Sequence, residues 1–117
     1  MNITSFIESH SIEDRIKESQ KITLKYPSRV PIIVERSNKC DLQEIDKKKY
    51  LVPKDMTMGQ FVFVIRKRIK LDTSQALFVM VNNTLESSNR LLGQVYDEKA
   101  NKDGFLYITY TSENTFG

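Results

Sequence analysis

A lysine-edged strand followed at once by an amphipathic helix is the feature that most constrains how this chain can fold. Residues 47–53 (KKKYLVP) show the period-two alternation of a β-strand, and Pro53 has no N–H to continue a hydrogen-bond ladder. Residues 57–69 place their apolar side chains on one helical face, with capping-box spacing of Thr57 and Gln60 at the start. The pair predicts a sheet edge backed by a buried helix, where an extended peptide can dock.

The composition predicts one compact domain in a reducing compartment. The chain has 117 residues, of which 39% are apolar, and this suits a single core. No apolar run approaches the roughly 20 residues of a membrane helix, and the N-terminus lacks a signal-peptide pattern. The single Cys40 cannot form an internal disulfide. A net charge of +3 permits contact with acidic peptides or anionic lipid and does not require nucleic acid.

Hydrophobic periodicity predicts the remaining helices and strands. The run 76–81 is continuously apolar, which is typical of a central strand buried on both faces. From 29 to 110 the predicted order is strand, strand, helix, strand, helix, strand, which is that of an α+β, ubiquitin-like β-grasp with a four-stranded mixed sheet. The predicted helices lie at 4–10, between Ser11 and Pro27, at 57–69 and at 89–99, and the predicted strands at 29–36, 47–53, 76–81 and 105–110.

The residues that could carry catalysis are few. Cys40 and His10 lie in separate polar segments, and although spacing alone leaves a Cys–His pair open, an ordinary surface thiol is the favoured interpretation of Cys40. Zinc needs about four ligands, which one Cys and one His do not supply. The chain also lacks a glycine-rich phosphate loop. No enzyme activity, metal or cofactor is therefore predicted.

Three separated motifs carry a resemblance to a known family. The segment 47–69, the DGFLY sequence at 103–107 and the terminal ENTFG at 113–117 occur in matching order and spacing. The chain thus resembles the autophagy ubiquitin-like modifiers, the GABARAP-type family of lipid-conjugated autophagosome proteins. The resemblance implies a helical extension at 1–27, a β-grasp core at 28–110 and a flexible conjugation tail at 111–117.

Gly117 is the residue to which the resemblance assigns chemistry. Glycine has no side chain, so its carbonyl can enter a narrow enzyme channel. The family's reaction implies that Gly117 is adenylated, passed through thioesters and amide-linked to phosphatidylethanolamine, and that a cysteine protease of the pathway reverses the linkage. Buried lipid is worth roughly 0.8 kcal/mol per methylene, so two acyl chains would anchor the protein firmly. The alternative is that Gly117 is merely where this chain stops.

The resemblance also implies docking of peptides that carry an aromatic residue, two variable residues and then Leu, Ile or Val, often after acidic residues. The backbones of Lys49 and Leu51 would pair with the peptide, and the side chains of Lys47, Lys49, Arg29 and Arg68 would meet its acidic residues. The aromatic pocket would consist of Glu18, Ile22, Pro31, Ile33, Lys49, Leu51 and Phe105, and the aliphatic pocket of Tyr50, Val52, Pro53, Met56, Phe61, Val64 and Ile65.

A plainer interpretation competes with docking. Ile33, Phe61 and Ile65 could simply be core residues, since buried residues and pocket walls look alike in sequence. The lysines beside Tyr50 and Leu51 favour a surface edge, although lysines also guard edge strands against promiscuous pairing.

The sequence thus predicts a lipid-conjugated modifier, cytoplasmic or attached to autophagosomes and possibly delivered to the vacuole or lysosome. Its partners would be the activating, conjugating and deconjugating enzymes of autophagy, motif-bearing cargo receptors and phosphatidylethanolamine membranes, with no nucleic acid. The alternative is an unconjugated ubiquitin-like adaptor in vesicle trafficking or microtubule association, which predicts indifference to Gly117. An enzyme that uses Cys40 is a third, weaker possibility.

Overall fold

A computed structural model describes residues 5–38 and 40–112. Each predicted element is present, with bounds that differ by up to three residues. The helices are α1 (Phe6–Ser9), α2 (Ile12–Lys25), α3 (Met58–Arg68) and α4 (Leu92–Lys99), and the strands are β1 (Arg29–Arg36), β2 (Lys49–Pro53), β3 (Phe78–Val81), β4 (Thr84–Leu85) and β5 (Leu106–Thr111). The conjugation tail predicted around Gly117 lies outside the described residues, apart from its first positions.

The strands form one mixed sheet in the order β2-β1-β5-β3-β4. The β1 strand is antiparallel to β2 and parallel to β5, while β3 is antiparallel to both of its neighbours. The prediction of four strands is therefore wrong by one short strand. Asn82 and Asn83 have positive φ angles of 51° and 61°, and this backbone lets Thr84 and Leu85 fold back onto β3 as a tight hairpin. The sequence indicated the turn but not the strand after it.

The apolar run at β3 is buried on one face rather than on both. Val79 and Val81 belong to the main core, whereas Phe78 and Met80 are half-buried on the opposite face. The prediction of a strand buried on both sides is therefore wrong. A run of apolar residues does not reveal how far a second layer extends, and β3 lies next to the edge strand β4.

The main core lies between the sheet and α3. Thr57 and Gln60 form the predicted capping box, with hydrogen bonds of 2.9 and 3.1 Å, and α3 buries Met58, Phe61 and Ile65 completely. Alternate residues of the strands face these side chains because successive strand residues point to opposite sides of a sheet. Every one of the following belongs to this core: Val30, Ile32 and Val34 of β1, Tyr50 and Val52 of β2, and Leu106, Ile108 and Tyr110 of β5.

A polar clamp holds α2 against the segment before β5 on the opposite face. Arg15 pairs with Asp103 at 2.8 Å, and the Asp103 side chain is completely buried. Tyr107 donates its hydroxyl proton to the same carboxylate, and burial together with this bond raises the pKa of Tyr107. The Ser19 hydroxyl donates to the Asp103 carbonyl, and Gly104 follows with a φ of 88°, where a Cβ would collide with Ser19. This clamp fixes the position of α2 over β1 and β5.

Candidate functional site

The outer side of β2 is a free strand edge. Among the described residues, β2 pairs only with β1, and Pro31 lies opposite Leu51 in that register. Val34 donates its N–H to the Lys48 carbonyl at 2.8 Å, so the even-numbered residues of this segment direct their backbone groups toward β1. Because antiparallel pairing alternates residue by residue, the N–H and C=O groups of Lys49 and Leu51 point away from the sheet. This orientation is the one that strand addition requires.

One face of this edge lies between β2 and α2. Lys49 ion-pairs with Glu18 of α2 at 2.7 Å, which bridges the strand and the helix. Leu51 is half-buried on the same side of β2. Beneath them, Ile33 and Phe105 are at most 1% exposed and form the centre of a second hydrophobic cluster. The structure therefore brings together the residues of the predicted aromatic pocket: Glu18, Ile22, Pro31, Ile33, Lys49, Leu51 and Phe105.

Phe6 of α1 belongs to this cluster, and the sequence did not identify it as part of the site. Its ring packs edge-on against Phe105 with centroids 5.3 Å apart, and the Lys49 ammonium lies 5.2 Å from its centroid. Its backbone N–H donates to the Glu35 carboxylate at 2.9 Å. The sequence predicted a helix at 4–10 but not its contacts, because a four-residue helix gives no indication of its partner.

The other face of the edge lies between β2 and α3. Tyr50 packs edge-on against Phe61 at 5.4 Å between ring centroids. Tyr50 is only 8% exposed, because strand alternation turns its side chain inward although β2 itself is a surface edge. Of the predicted aliphatic-pocket residues, Tyr50, Val52, Phe61 and Ile65 are core, while Pro53, Met56 and Val64 are half-buried and reachable from outside.

The predicted cations flank the edge, and each already contacts another group. Arg68 pairs with Asp46 at 3.2 Å, and the Lys47 ammonium lies 5.1 Å from the centroid of the Tyr50 ring. Arg29 donates to the Leu51 carbonyl at 3.2 Å. All of these contacts are exposed or half-exposed, where ion pairs contribute about 0–1 kcal/mol, so an acidic partner could exchange for them at little cost.

The catalytic alternatives find no assembled site in the described ranges 5–38 and 40–112. Cys40 is buried, which contradicts its interpretation as a surface thiol, and its sulfur accepts the Leu42 N–H at 3.3 Å. The connection between β1 and β2 turns this side chain into the core, which its polar neighbours in sequence do not indicate. His10 instead stacks on Phe6 with centroids 4.3 Å apart. No group of three or more metal-binding side chains occurs within those ranges.

No helix in the part of the chain that the structure describes combines the length and apolarity needed to cross a membrane.

Comparisons with known proteins agree on one family. The sequence model described as "Autophagy protein Atg8 ubiquitin like" matches residues 14–117. Autophagy-related protein 8A of Oryza sativa subsp. indica is 55% identical over 114 residues, covering 97% of this chain and 96% of that protein. Autophagy-related protein 8 of Vanderwaltozyma polyspora is 53% identical over 114 residues and 97% of both chains.

Solved structures agree with the sequence matches. The crystal structure of Trypanosoma brucei ATG8 has a TM-score of 0.89 and 40% identity, covering 99% of this chain and 100% of that one. Plasmodium falciparum Atg8, solved in complex with a Plasmodium falciparum Atg3 peptide, has a TM-score of 0.88 and 34% identity, covering 95% and 98%.

Substitutions of Tyr50 test whether its ring, rather than its hydroxyl, stabilises the packing behind the β2 edge. Its hydroxyl is buried without a hydrogen-bond partner among the described residues, and burial raises the Tyr50 pKa although the Arg68 cation lowers it. We expect Tyr50→Phe to leave stability unchanged or to raise it by up to about 1 kcal/mol, because an unsatisfied hydroxyl is removed. Tyr50→Ala should lose about 3–5 kcal/mol, because the packing on Phe61 disappears. Urea unfolding measures both, and equal losses in the two variants would contradict this account.

Proposed function

Because the chain belongs to the Atg8 family of autophagy-related ubiquitin-like proteins, we propose that it is a modifier conjugated through Gly117 to phosphatidylethanolamine on autophagosomal membranes, where it recruits receptors that carry aromatic-x-x-aliphatic motifs. It acts by display rather than by catalysis. Enzymes of the pathway activate, transfer and release it, and its own surface supplies the docking site.

The free edge of β2 is the observation that supports docking. Lys49 and Leu51 direct their backbone groups outward, away from β1. The Leu51 carbonyl accepts an exposed hydrogen bond from the Arg29 side chain, which a peptide strand adding to the sheet there would replace. Main-chain hydrogen bonds of this kind are independent of sequence, and selectivity must therefore come from side-chain pockets on either side of the strand.

The spacing of the motif fits those pockets. An aromatic residue and an aliphatic residue three positions later point to opposite faces of an extended strand, because side chains alternate with a period of two. The two half-open surfaces described here also lie on opposite faces of β2. Leu51 and the Glu18–Lys49 pair border the surface toward α2. Met56 and Val64, which are half-buried and pack against the main core, border the surface toward α3. A motif with two intervening residues can therefore reach both surfaces at once.

The positive charge beside β2 favours binding of the acidic residues that often precede the motif. Lys47 and Lys49 line the approach to β2, and their side chains are exposed. When an acidic peptide docks, its carboxylates replace Glu18 as the partner of Lys49 and Asp46 as the partner of Arg68. Because one ion pair replaces another, the gain appears mostly in the association rate and in its salt dependence.

Conjugation depends on the tail that follows β5. The strand ends at Thr111, and Gly117 lies outside the described residues. The chemistry attributed to it needs only an unhindered terminal carboxylate and an accessible stretch of chain. The Plasmodium falciparum relative was solved in complex with an Atg3 peptide. By family membership, we propose the conjugating enzyme as a partner of this chain. Many copies held on one membrane would make weak contacts at the β2 edge effective through multivalency.

Gly117→Ala tests the conjugation half of the proposal. With activating and conjugating enzymes, ATP and phosphatidylethanolamine liposomes, the unaltered chain should gain the mass of one lipid in intact-mass spectrometry. The Ala variant should gain little or none, because a methyl group crowds the reacting carbonyl, while Asn114→Ala in the same tail serves as the control. Equal conjugation of the Gly117 variant would contradict the assignment. No conjugation of any chain, with peptide binding retained, would indicate an unconjugated adaptor.

Leu51→Ala tests the docking half. We expect affinity for an acidic peptide containing Phe-x-x-Leu to fall by about tenfold or more. The half-buried Leu51 side chain borders the surface toward α2, so its truncation removes apolar contact with the docked peptide. Leu85→Ala makes the same truncation on β4, the opposite edge strand, where Leu85 is 46% exposed. Isothermal calorimetry should show no change for that variant. Equal effects at the two edges would refute docking at β2.

A further inference from the structure

We propose that Phe6 is an internal ligand of the aromatic pocket, so that α1 competes with the aromatic residue of a docked peptide. This inference rests on the proposed docking function and adds how the pocket is regulated. The competition would make the position of α1 a determinant of receptor affinity.

The deepest predicted pocket residues are already covered. Ile33 is 0% and Phe105 is 1% exposed, so no peptide side chain can touch either residue while the described arrangement persists. Phe6, itself 6% exposed, belongs to the same cluster and packs edge-on against Phe105, and the half-buried Ile22 and Tyr107 pack against this cluster as well. Of these residues only Phe6 lies on the four-residue helix α1. A peptide ring that enters this apolar surface would therefore displace Phe6, or else it reaches only Leu51 and Ile22 at the rim.

The contacts made by Phe6 are those that an aromatic ligand would use. Phe105 meets its ring edge-to-face at an interplanar angle of 73°, a favourable arrangement for two aromatic rings. The Lys49 ammonium lies 5.2 Å from the ring centroid, within cation–π range. Lys49 also belongs to the β2 edge itself, so one side chain contacts both the internal ring and the route of the incoming peptide.

The attachment of α1 is slight enough to be reversible. The helix has four residues, and Phe6 is its one buried residue. Its other attachments include the Phe6 N–H donated to the Glu35 carboxylate at 2.9 Å and the Arg15 Nε–H donated to the His10 carbonyl at 3.2 Å. Ile7, on the same helix, is 43% exposed and contributes little to the attachment. Arg15 holds Asp103 through a different nitrogen, so α1 can leave the pocket without breaking the Arg15–Asp103 clamp that holds α2.

Peptide affinity distinguishes two roles for Phe6, which either competes with the peptide ring or forms part of the pocket that holds it. If Phe6 competes, Phe6→Ala should tighten binding of an acidic Phe-x-x-Leu peptide by about threefold or more, because the fraction of open pockets rises. Glu35→Gln should act in the same direction with the ring unchanged, since it weakens the bond to the Phe6 N–H. Ile7→Ala is the matched control and should bind as the unaltered chain does. Weaker binding by the Phe6 and Glu35 variants, or affinities equal to that of the control, would overturn the proposal.

A fluorescence measurement follows the ring directly. The chain has no tryptophan, so Phe6→Trp introduces a single reporter in the pocket. Titration with the same peptide, which contains no Trp or Tyr, should shift the emission to the red as the indole leaves the pocket for water. Unchanged or blue-shifted emission at saturation would show that the residue stays in place as a wall, and would overturn competition while leaving docking intact. If neither the unaltered chain nor Phe6→Ala binds the peptide, the docking function itself fails.

Discussion

The register between β1 and β2 is the constraint on which the site depends. Pro31 lies opposite Leu51, while the Val34 N–H reaches the Lys48 carbonyl. The missing N–H of Pro31 therefore falls at a position that does not bond across to β2, and the pairing of β1 with β5 begins only at Ile32. A shift by one residue would turn every side chain of β2 to the other face. Tyr50 would leave the core, and the backbone of Lys49 would turn toward β1.

The second face of the site exists because buried polar groups hold α2 in place. The Asp103 carboxylate is completely buried and is satisfied by Arg15, Tyr107 and the Phe105 N–H. Loss of one partner from such a pair costs about 3–5 kcal/mol, because a buried charge is left uncompensated. The Asp103 carboxylate also accepts the backbone N–H of Phe105, so this single residue connects the clamp to the aromatic pocket. Helix α1 has no comparable attachment, and this contrast makes Phe6 the part of the face able to move.

The sequence predicted the elements whose signals are local and redundant. Helix α3 carried a capping box, an apolar stripe and a basic end, and β2 carried alternation that ended at Pro53. The features that it missed depend on distant contacts. The two-residue β4 strand exists only because the Asn82–Asn83 turn returns it to β3, and Cys40 is buried by a loop whose path its polar neighbours do not indicate. The role of Phe6 requires knowing that Ile33, Phe105 and Lys49 converge. Similarity to the family brought these pocket residues together as a set, but which of them are open and which are covered follows only from the packing.

Amide hydrogen exchange along β2, with and without an acidic Phe-x-x-Leu peptide, tests the central claim most directly. In the free protein the amides of Tyr50 and Val52, which face β1, should exchange slowly, and those of Lys49 and Leu51 should exchange quickly. At saturating peptide the Lys49 and Leu51 amides should slow by about tenfold or more, because new strand hydrogen bonds must open before exchange. Unchanged exchange at these two amides while the peptide is demonstrably bound, or protection that appears at β4 instead, would contradict docking at the free edge of β2.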